Sequence, residues 1–269
     1  MKATAIYAKA SANFAEKLEA SKALLLSSAA QFSPLTQASS LGAEDMVVTH
    51  LIAETRIACS IFVLDTRMLH AETLALVGQL EARYALTVDV YQPDAAVAMQ
   101  FVAANGADAM YKSLALRKAC CDLRKMEPLG RALKGKKGWL TGLRREQSTA
   151  RAEVHDVEQQ LLTGEGEPLM RAKINPLAEW TQGDIWHFIA SHDIPYNPLH
   201  DAFFPSIGCA PCTRAVTLGE DVRSGRWWWE HESAKECGLH VDGQSSALAG
   251  NEPPAFESLS QITIKEIST

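Results

Sequence analysis

The feature that most limits how this chain can fold is an alternation of short apolar runs with helical stretches between residues 35 and 191. IFVL at 61–64 is continuous and apolar, as a strand buried on both faces requires. TVDVY at 87–91 and WLTGL at 139–143 are further strand candidates, and Leu35 to Ala38 reads as a short strand entering a Ser/Gly turn. The helix after that turn starts near Ala43, with Glu44 and Asp45 in its first turn, where acids favour the positive end of the helix dipole. Spacing predicts an amphipathic helix over about 11–30, ended by Pro34, and others over Ala71 to Tyr84, from Ala95, and over Trp180 to Ser191. Thr181 is a plausible N-cap for the last of these, with Asp184 three positions on. Alternation of this kind implies an α/β domain with a mostly parallel sheet flanked by helices. Ligands of such sheets sit beyond the carboxyl ends of the strands, which points to the SSLGAED loop and the loop after Leu64.

The rhythm stops after Cys212, and residues from Val241 onward are rich in Ser, Gly and Pro, as in a flexible tail. No internal repeat and no second domain is evident. No run of 18 apolar residues appears, so no membrane-spanning helix is expected. The alanine-rich start is interrupted by Lys9, Glu16, Lys17, Glu19 and Lys22, which argues against a signal peptide and for a cytoplasmic chain. A net charge of −6 argues against broad nucleic-acid binding. Yet from Arg117 to Arg151 eleven Lys/Arg face three acids, Asp122, Glu127 and Glu146. Such an island suits a small polyanion, or else is a solvated basic helix face.

Six cysteines in a chain of this kind are read as metal or redox chemistry rather than disulfides. Cys120 and Cys121 are adjacent, while Cys209 and Cys212 form a CxxC with Gly208 and Pro211 suited to a tight turn. Adjacent cysteines point different ways, so they fit an extended cluster more readily than one tetrahedral zinc ion, for which two C-x₂₋₄-C pairs are usual. Structural zinc and unliganded buried thiols remain open on spacing alone. Arg117, Lys118, Arg124, Lys125 and Arg214 flank the pairs and would offset thiolate charge. Cys59, alone before an apolar strand, reads as a small buried hydrophobe. Cys237, in KECGLH, is either a reactive thiol, activated by Lys235 and His240, or an incidental surface one.

The stretch KACCDLRKMEPLGRAL, followed by GCAPCTRAV and then ECGLH, resembles the assimilatory adenylyl-sulfate (APS) reductases of bacteria. SSLGAEDMV and LDTRMLHAET look like that family's nucleotide-binding loop and its LDTG-type strand end, with Arg67 in place of the glycine. The likeness runs over about residues 35–240. It implies a PP-loop, adenine-nucleotide α-hydrolase-like fold. The whole would be one reductase domain over 1–240, with a nucleotide core at about 35–215, a catalytic segment at about 216–240 and a tail at 241–269. It implies a [4Fe-4S] cluster on Cys120, Cys121, Cys209 and Cys212, and Cys237 as nucleophile toward the sulfur of adenosine 5′-phosphosulfate. AMP would leave, and thioredoxin (or glutaredoxin) would release sulfite from the Cys237 adduct. Lys125, Arg223 and Arg226 would hold the phosphosulfate, with Arg144 a further candidate. Ser39, Ser40 and Gly42 would present hydroxyl and N–H groups to the nucleotide phosphate, and His240 would orient substrate or assist Cys237. Association of identical chains is expected, with no nucleic-acid or membrane partner.

Three rivals stand beside this. A reductase of the 3′-phosphorylated nucleotide (PAPS), or one accepting both nucleotides, would share the fold, although relatives restricted to PAPS generally lack the cysteine pairs. A tRNA thiolation enzyme of the PP-loop type would want an SGGxDS loop, which SSLGAED is not. A zinc-stapled interaction module would have no need of Cys237.

Overall fold

The computed structural model describes residues 1–162, 169–217 and 219–230. Its centre is a six-stranded sheet in the order β3-β2-β1-β4-β6-β5. The strands are β1 (Leu35–Ser39), β2 (Cys59–Leu64), β3 (Val88–Tyr91), β4 (Gly138–Leu140), β5 (Val157–Leu162) and β6 (Leu169–Ile174). All neighbours are parallel except β5, which runs antiparallel to β6 along one edge, Val157 opposite Ile174. In β1, Leu35 faces Cys59 of β2 on one side and Gly138 of β4 on the other. The chain therefore builds outward from β1 in both directions, and the point between β1 and β4 is where the strand order reverses.

Nine helices are described: α1 (Ala3–Tyr7), α2 (Phe14–Gln31), α3 (Ala43–Thr55), α4 (Ala71–Tyr84), α5 (Ala95–Asn105), α6 (Ala109–Lys112), α7 (Leu114–Cys121), α8 (Glu127–Ala132) and α9 (Gln182–Ser191). A π-helical turn, Asp122–Met126, joins α7 to α8. Met46, Val47, Val48, Leu51 and Ile52 of α3 are all buried, because this helix lies between the sheet and the layer formed by α2 and α9. An all-round apolar helix needs such a place. The main core joins these residues to Leu76 and Leu80 of α4 and to Trp180, Ile185 and Phe188. On the other face Phe62 and Trp139 pack against Leu129, Ala132 and Leu133 around α8. Helices on both faces bury the sheet, and the parallel class follows.

The Thr181 cap forms as the sequence implies. Its Oγ1 accepts from the Asp184 amide at 3.0 Å, and Asp184 accepts from the Thr181 amide at 2.9 Å. Asp184 also takes the Ser11 amide and the Lys17 ammonium. Burial works against its charge, but these donors hold its carboxyl well below the usual range. WLTGL forms a strand only to Leu140; Thr141 onward turns out toward the carboxyl end of the sheet. Among the described residues no helix is long and apolar enough to cross a membrane.

Candidate functional site

The carboxyl ends of β1 and β4 open onto a cleft of about 270 Å³ at the reversal of strand order. Its walls come from the loop after β1 (Ser39, Ser40, Gly42), the loop after β2 (Thr66, Leu69) and the loop after β4 (Thr141 to Arg144). Lys125, Cys209, Arg223 and Arg226 complete it. Lys125, Cys209, Arg226 and Trp227 also line a second, smaller cavity, together with Cys120, Cys121 and Cys212. The cleft and the four-cysteine site thus share a wall.

That wall is pinned by backbone. Ala210 N–H donates to Met68 O at 2.7 Å, and Leu69 bridges Cys209, which fixes the CxxC turn against the loop after β2. The chain then returns: Thr213 bridges Arg226, Arg214 N–H donates to Gly225 O, and Trp227 N–H donates to Cys212 O. A side chain at Gly208 would collide with the Arg226 guanidinium, so glycine lets the cation lie against the cysteine turn. The Trp227 ring carries two guanidinium groups, that of Arg226 at 4.5 Å from its centroid and that of Arg117 at 4.7 Å. Arg117 is held in turn by a bidentate bond to Glu230, at 3.0 and 2.8 Å.

Cys120, Cys209 and Cys212 are buried and pack with Met110 and Trp227; Cys121 is half-buried. Burial pushes the Cys212 thiol up to about 12, the neighbouring Cys209 adding to it, and burial also raises Cys120. Such thiols are poor nucleophiles in their own right. Arg124 Nε, Arg226 Nε and Trp227 Nε1 are buried around this cavity with no hydrogen-bond partner among the described residues. Four thiols with three unsatisfied N–H donors beside them fit an anionic, thiolate-ligated iron–sulfur cluster, whose sulfurs accept such bonds. Among the described residues no three His, Cys, Asp or Glu side chains converge as a single metal ion requires. A four-iron cluster gives each cysteine its own iron, so its four ligands surround a larger group and stand farther apart than those of a single ion. Thr66 Oγ1 lies 3.2 Å from Cys209 Sγ, and Arg124 donates to Thr66 O at 2.9 Å, tying the site to the end of β2.

Of the residues singled out from sequence, Lys125, Arg223 and Arg226 are brought together on the cleft wall beside the cysteines. Ser39, Ser40 and Gly42 line the cleft, but the Ser40, Leu41 and Gly42 donors of their loop are engaged within the chain. Ser40 N–H and Oγ–H donate to Asp45 Oδ2 at 2.7 and 2.5 Å, Leu41 N–H to Ser39 Oγ, and Gly42 N–H to Ser40 Oγ. Arg144 also lines the cleft, yet it is spent on Glu44 (2.9 Å), Glu146 (3.0 Å) and the Trp180 carbonyl. Burial pushes the Glu44 carboxyl up, but Arg144 and Gln147 outweigh it and hold it below its usual range. Cys237 and His240 lie outside the described residues. Cys59 packs at the edge of the main core, and burial lifts its thiol to about 12, as suits an inert side chain.

Sequence reasoning passed over Asp45, Thr66, Arg151 and His200, all of which line the cleft. Arg151 falls inside the basic island, Asp45 ends the SSLGAED loop and Thr66 lies in the loop after Leu64, which were the available signals; His200 carries none without the tertiary fold. Arg67, where the resembled family has glycine, sits at φ 60°, the left-handed region that glycine enters freely.

The chain has known relatives. Residues 34–215 match the phosphoadenosine phosphosulfate reductase domain. The chain is 47% identical over 227 residues to adenosine 5′-phosphosulfate reductase of Burkholderia cepacia, covering 84% of this chain and 88% of that one. It is 51% identical over 203 residues to the enzyme of the same name from Allochromatium vinosum, covering 76% and 77%. Among solved structures, phosphoadenylyl-sulfate reductase from Candida auris, a phosphate complex, aligns with a TM-score of 0.59 at 25% identity, over 77% of this chain and 98% of that one. Candida glabrata FMN adenylyltransferase, at 13% identity and a TM-score of 0.52 over 87% and 81%, shares the fold. With a cationic cleft at the switch point, paired cysteines behind it and a family match across most of the described residues, this chain belongs to the phosphoadenosine phosphosulfate reductase family.

Proposed function

We propose that the chain reduces adenosine 5′-phosphosulfate to sulfite and AMP, with a thioredoxin-type dithiol (thioredoxin or glutaredoxin) as reductant, in cytoplasmic sulfate assimilation and as an assembly of identical chains. The observation that carries this is the shared wall: Lys125 and Arg226 line both the cleft and the four-cysteine cavity. An anionic phosphosulfate is thereby matched to fixed cations, which is what a thiolate needs before it can approach a polyanion. The names of the relatives support this substrate.

In this reading Lys125, Arg223 and Arg226 bind and orient the phosphosulfate. The Cys237 thiolate attacks its sulfur, the S–O bond to the phosphate breaks, and AMP departs with that electron pair. A dithiol partner then attacks Cys237 Sγ, releasing sulfite; its second thiol resolves the mixed disulfide and restores the Cys237 thiol. Cys120, Cys121, Cys209 and Cys212 would hold a [4Fe-4S] cluster, which when bound supplies a fixed charge centre and a staple between α7 and the CxxC turn. Both reducing equivalents come from the dithiol, so the cluster need not turn over.

Mass spectrometry after incubation with adenosine 5′-phosphosulfate and no dithiol tests the reading. A sulfonate adduct on the peptide containing Cys237 is the expected result. An unmodified Cys237 in protein that keeps its visible iron–sulfur absorption would overturn it in favour of thiolation chemistry.

A further inference from the structure

Helix α5 is out of place at a surface. Its sequence, AAVAMQFVAAN, holds no charged residue and only two polar ones, Gln100 and Asn105, yet none of its residues is buried. A helix that is apolar on all sides belongs in an interior or at an interface. Ala98, Phe101, Val102 and Asn105 are half-buried at i, i+3, i+4 and i+7, the spacing of one face. Phe101 packs there on the cluster formed by Met110, Trp227 and the buried cysteines, which fixes the helix in place. The opposite face is centred on Ala96, Gln100 and Ala103, all exposed, and is flanked by Val97, 48% exposed, and Met99, 67% exposed. Nothing among the described residues covers it.

The two ends of the helix identify what fits that face. Asp94 caps the N-terminus, its Oδ1 accepting from the Val97 amide at 3.0 Å. Lys112 folds over the C-terminus, its ammonium donating to Asn105 O at 2.6 Å while it also pairs with Asp108. A carboxylate and an ammonium thus stand about 8 to 9 Å along the axis on either side of Gln100. Turned about a twofold axis through Gln100, such a face is its own complement. Each Asp94 approaches the second copy's Lys112, and the helix dipoles run antiparallel. Ala96 and Ala103 straddle the axis and leave room for two backbones to come close. The Gln100 amide, both donor and acceptor, meets its own copy and makes two reciprocal hydrogen bonds, a polar pair that sets register. We infer that α5 is a self-association face, on which a second copy of this chain seats its own α5 antiparallel across Gln100. This rests on the assembly of identical chains proposed above and assigns the surface it uses.

The test is the mass of the full chain by light scattering, for the wild type, Gln100→Glu and Gln100→Lys. Residue 100 is exposed, so neither change threatens the fold. In a twofold pair it meets its own copy, so each variant alone sets like charges together. Self-association should weaken roughly a hundredfold and the mass should halve. An equimolar mixture of the two variants should restore the wild-type mass, which a general loss of stability would not allow. A wild-type assembly that neither variant disturbs, or a mixture that stays at the halved mass, overturns the inference and leaves the assembly of identical chains standing. A wild-type chain that is single at every concentration overturns both. A photoreactive side chain at position 100 should link the α5 peptide to its own copy; linkage to residues 241–269 of the same chain instead overturns the inference in favour of an occupant from within.

Discussion

Asp45 keeps a charge where the fold would rather have none. Burial lifts its carboxyl from an ordinary 3.8 to about 6, although the Ser40 donors pull the other way. Between those values the folded chain binds a proton that the unfolded chain has released, so stability falls as pH rises through that window. At 1.36 kcal/mol per pH unit the loss comes to about 3 kcal/mol above pH 6. Asp45→Asn should accordingly raise the midpoint of thermal unfolding at pH 7.5 and change it little at pH 4; a destabilised variant at pH 7.5 would contradict the assignment. Arg67 is a smaller instance of the same tension, an L-residue held at φ 60° beside the site.

At the scale of elements, the decisive unit is α7, the π-turn and α8. Cys120 and Cys121 end α7, and the turn that follows carries Arg124 and Lys125 to the same cavity. Wider turns of this kind often mark functional positions. Replacing any one of the four cysteines with serine should remove the visible absorption and loosen the attachment of the CxxC turn to α7, read as lost thermal stability. An active, colourless variant would refute the cluster. Sequence pattern located α4 to the residue and the Thr181–Asp184 cap, because a core-facing stripe and a local cap are both written in short-range spacing. It missed α7, the π-turn and α8, where Arg117 of α7 and Arg124 of the turn are buried at the site and so spoil the apolar period. It missed β6 for a related reason: Arg171 and Lys173 are buried in an interior strand, paired with the Lys136 and Leu133 carbonyls and with Glu158. The cysteine pairs were legible from spacing alone. The occupation of the Ser40 loop by Asp45 was not, since it depends on Asp45 being packed against Gly142 from the loop after β4.

For the whole molecule, the sheet order gathers residues from distant segments at one cleft, and Val222, Arg223, Arg226 and Trp227 add to its lining. The last bond that anchors their segment joins Arg117, 2% exposed, to Glu230, 7% exposed. Glu230→Gln removes the bidentate carboxylate from a buried guanidinium and should cost about 3 kcal/mol in a denaturation melt. It should also slow sulfonation of Cys237 at fixed substrate; an unchanged rate would show that the anchor serves stability alone. The anchor has a kinetic meaning as well. Glu230 and Cys237 are seven residues apart, so the thiol is leashed within about 25 Å of a fixed point beside the cleft. In the proposed reaction, chain length alone would then hold the Cys237 thiol at an effective concentration of roughly millimolar order at the cleft, whatever the amount of protein. The Arg117–Glu230 pair would thereby enter the rate of the proposed reaction as well as the stability of the fold.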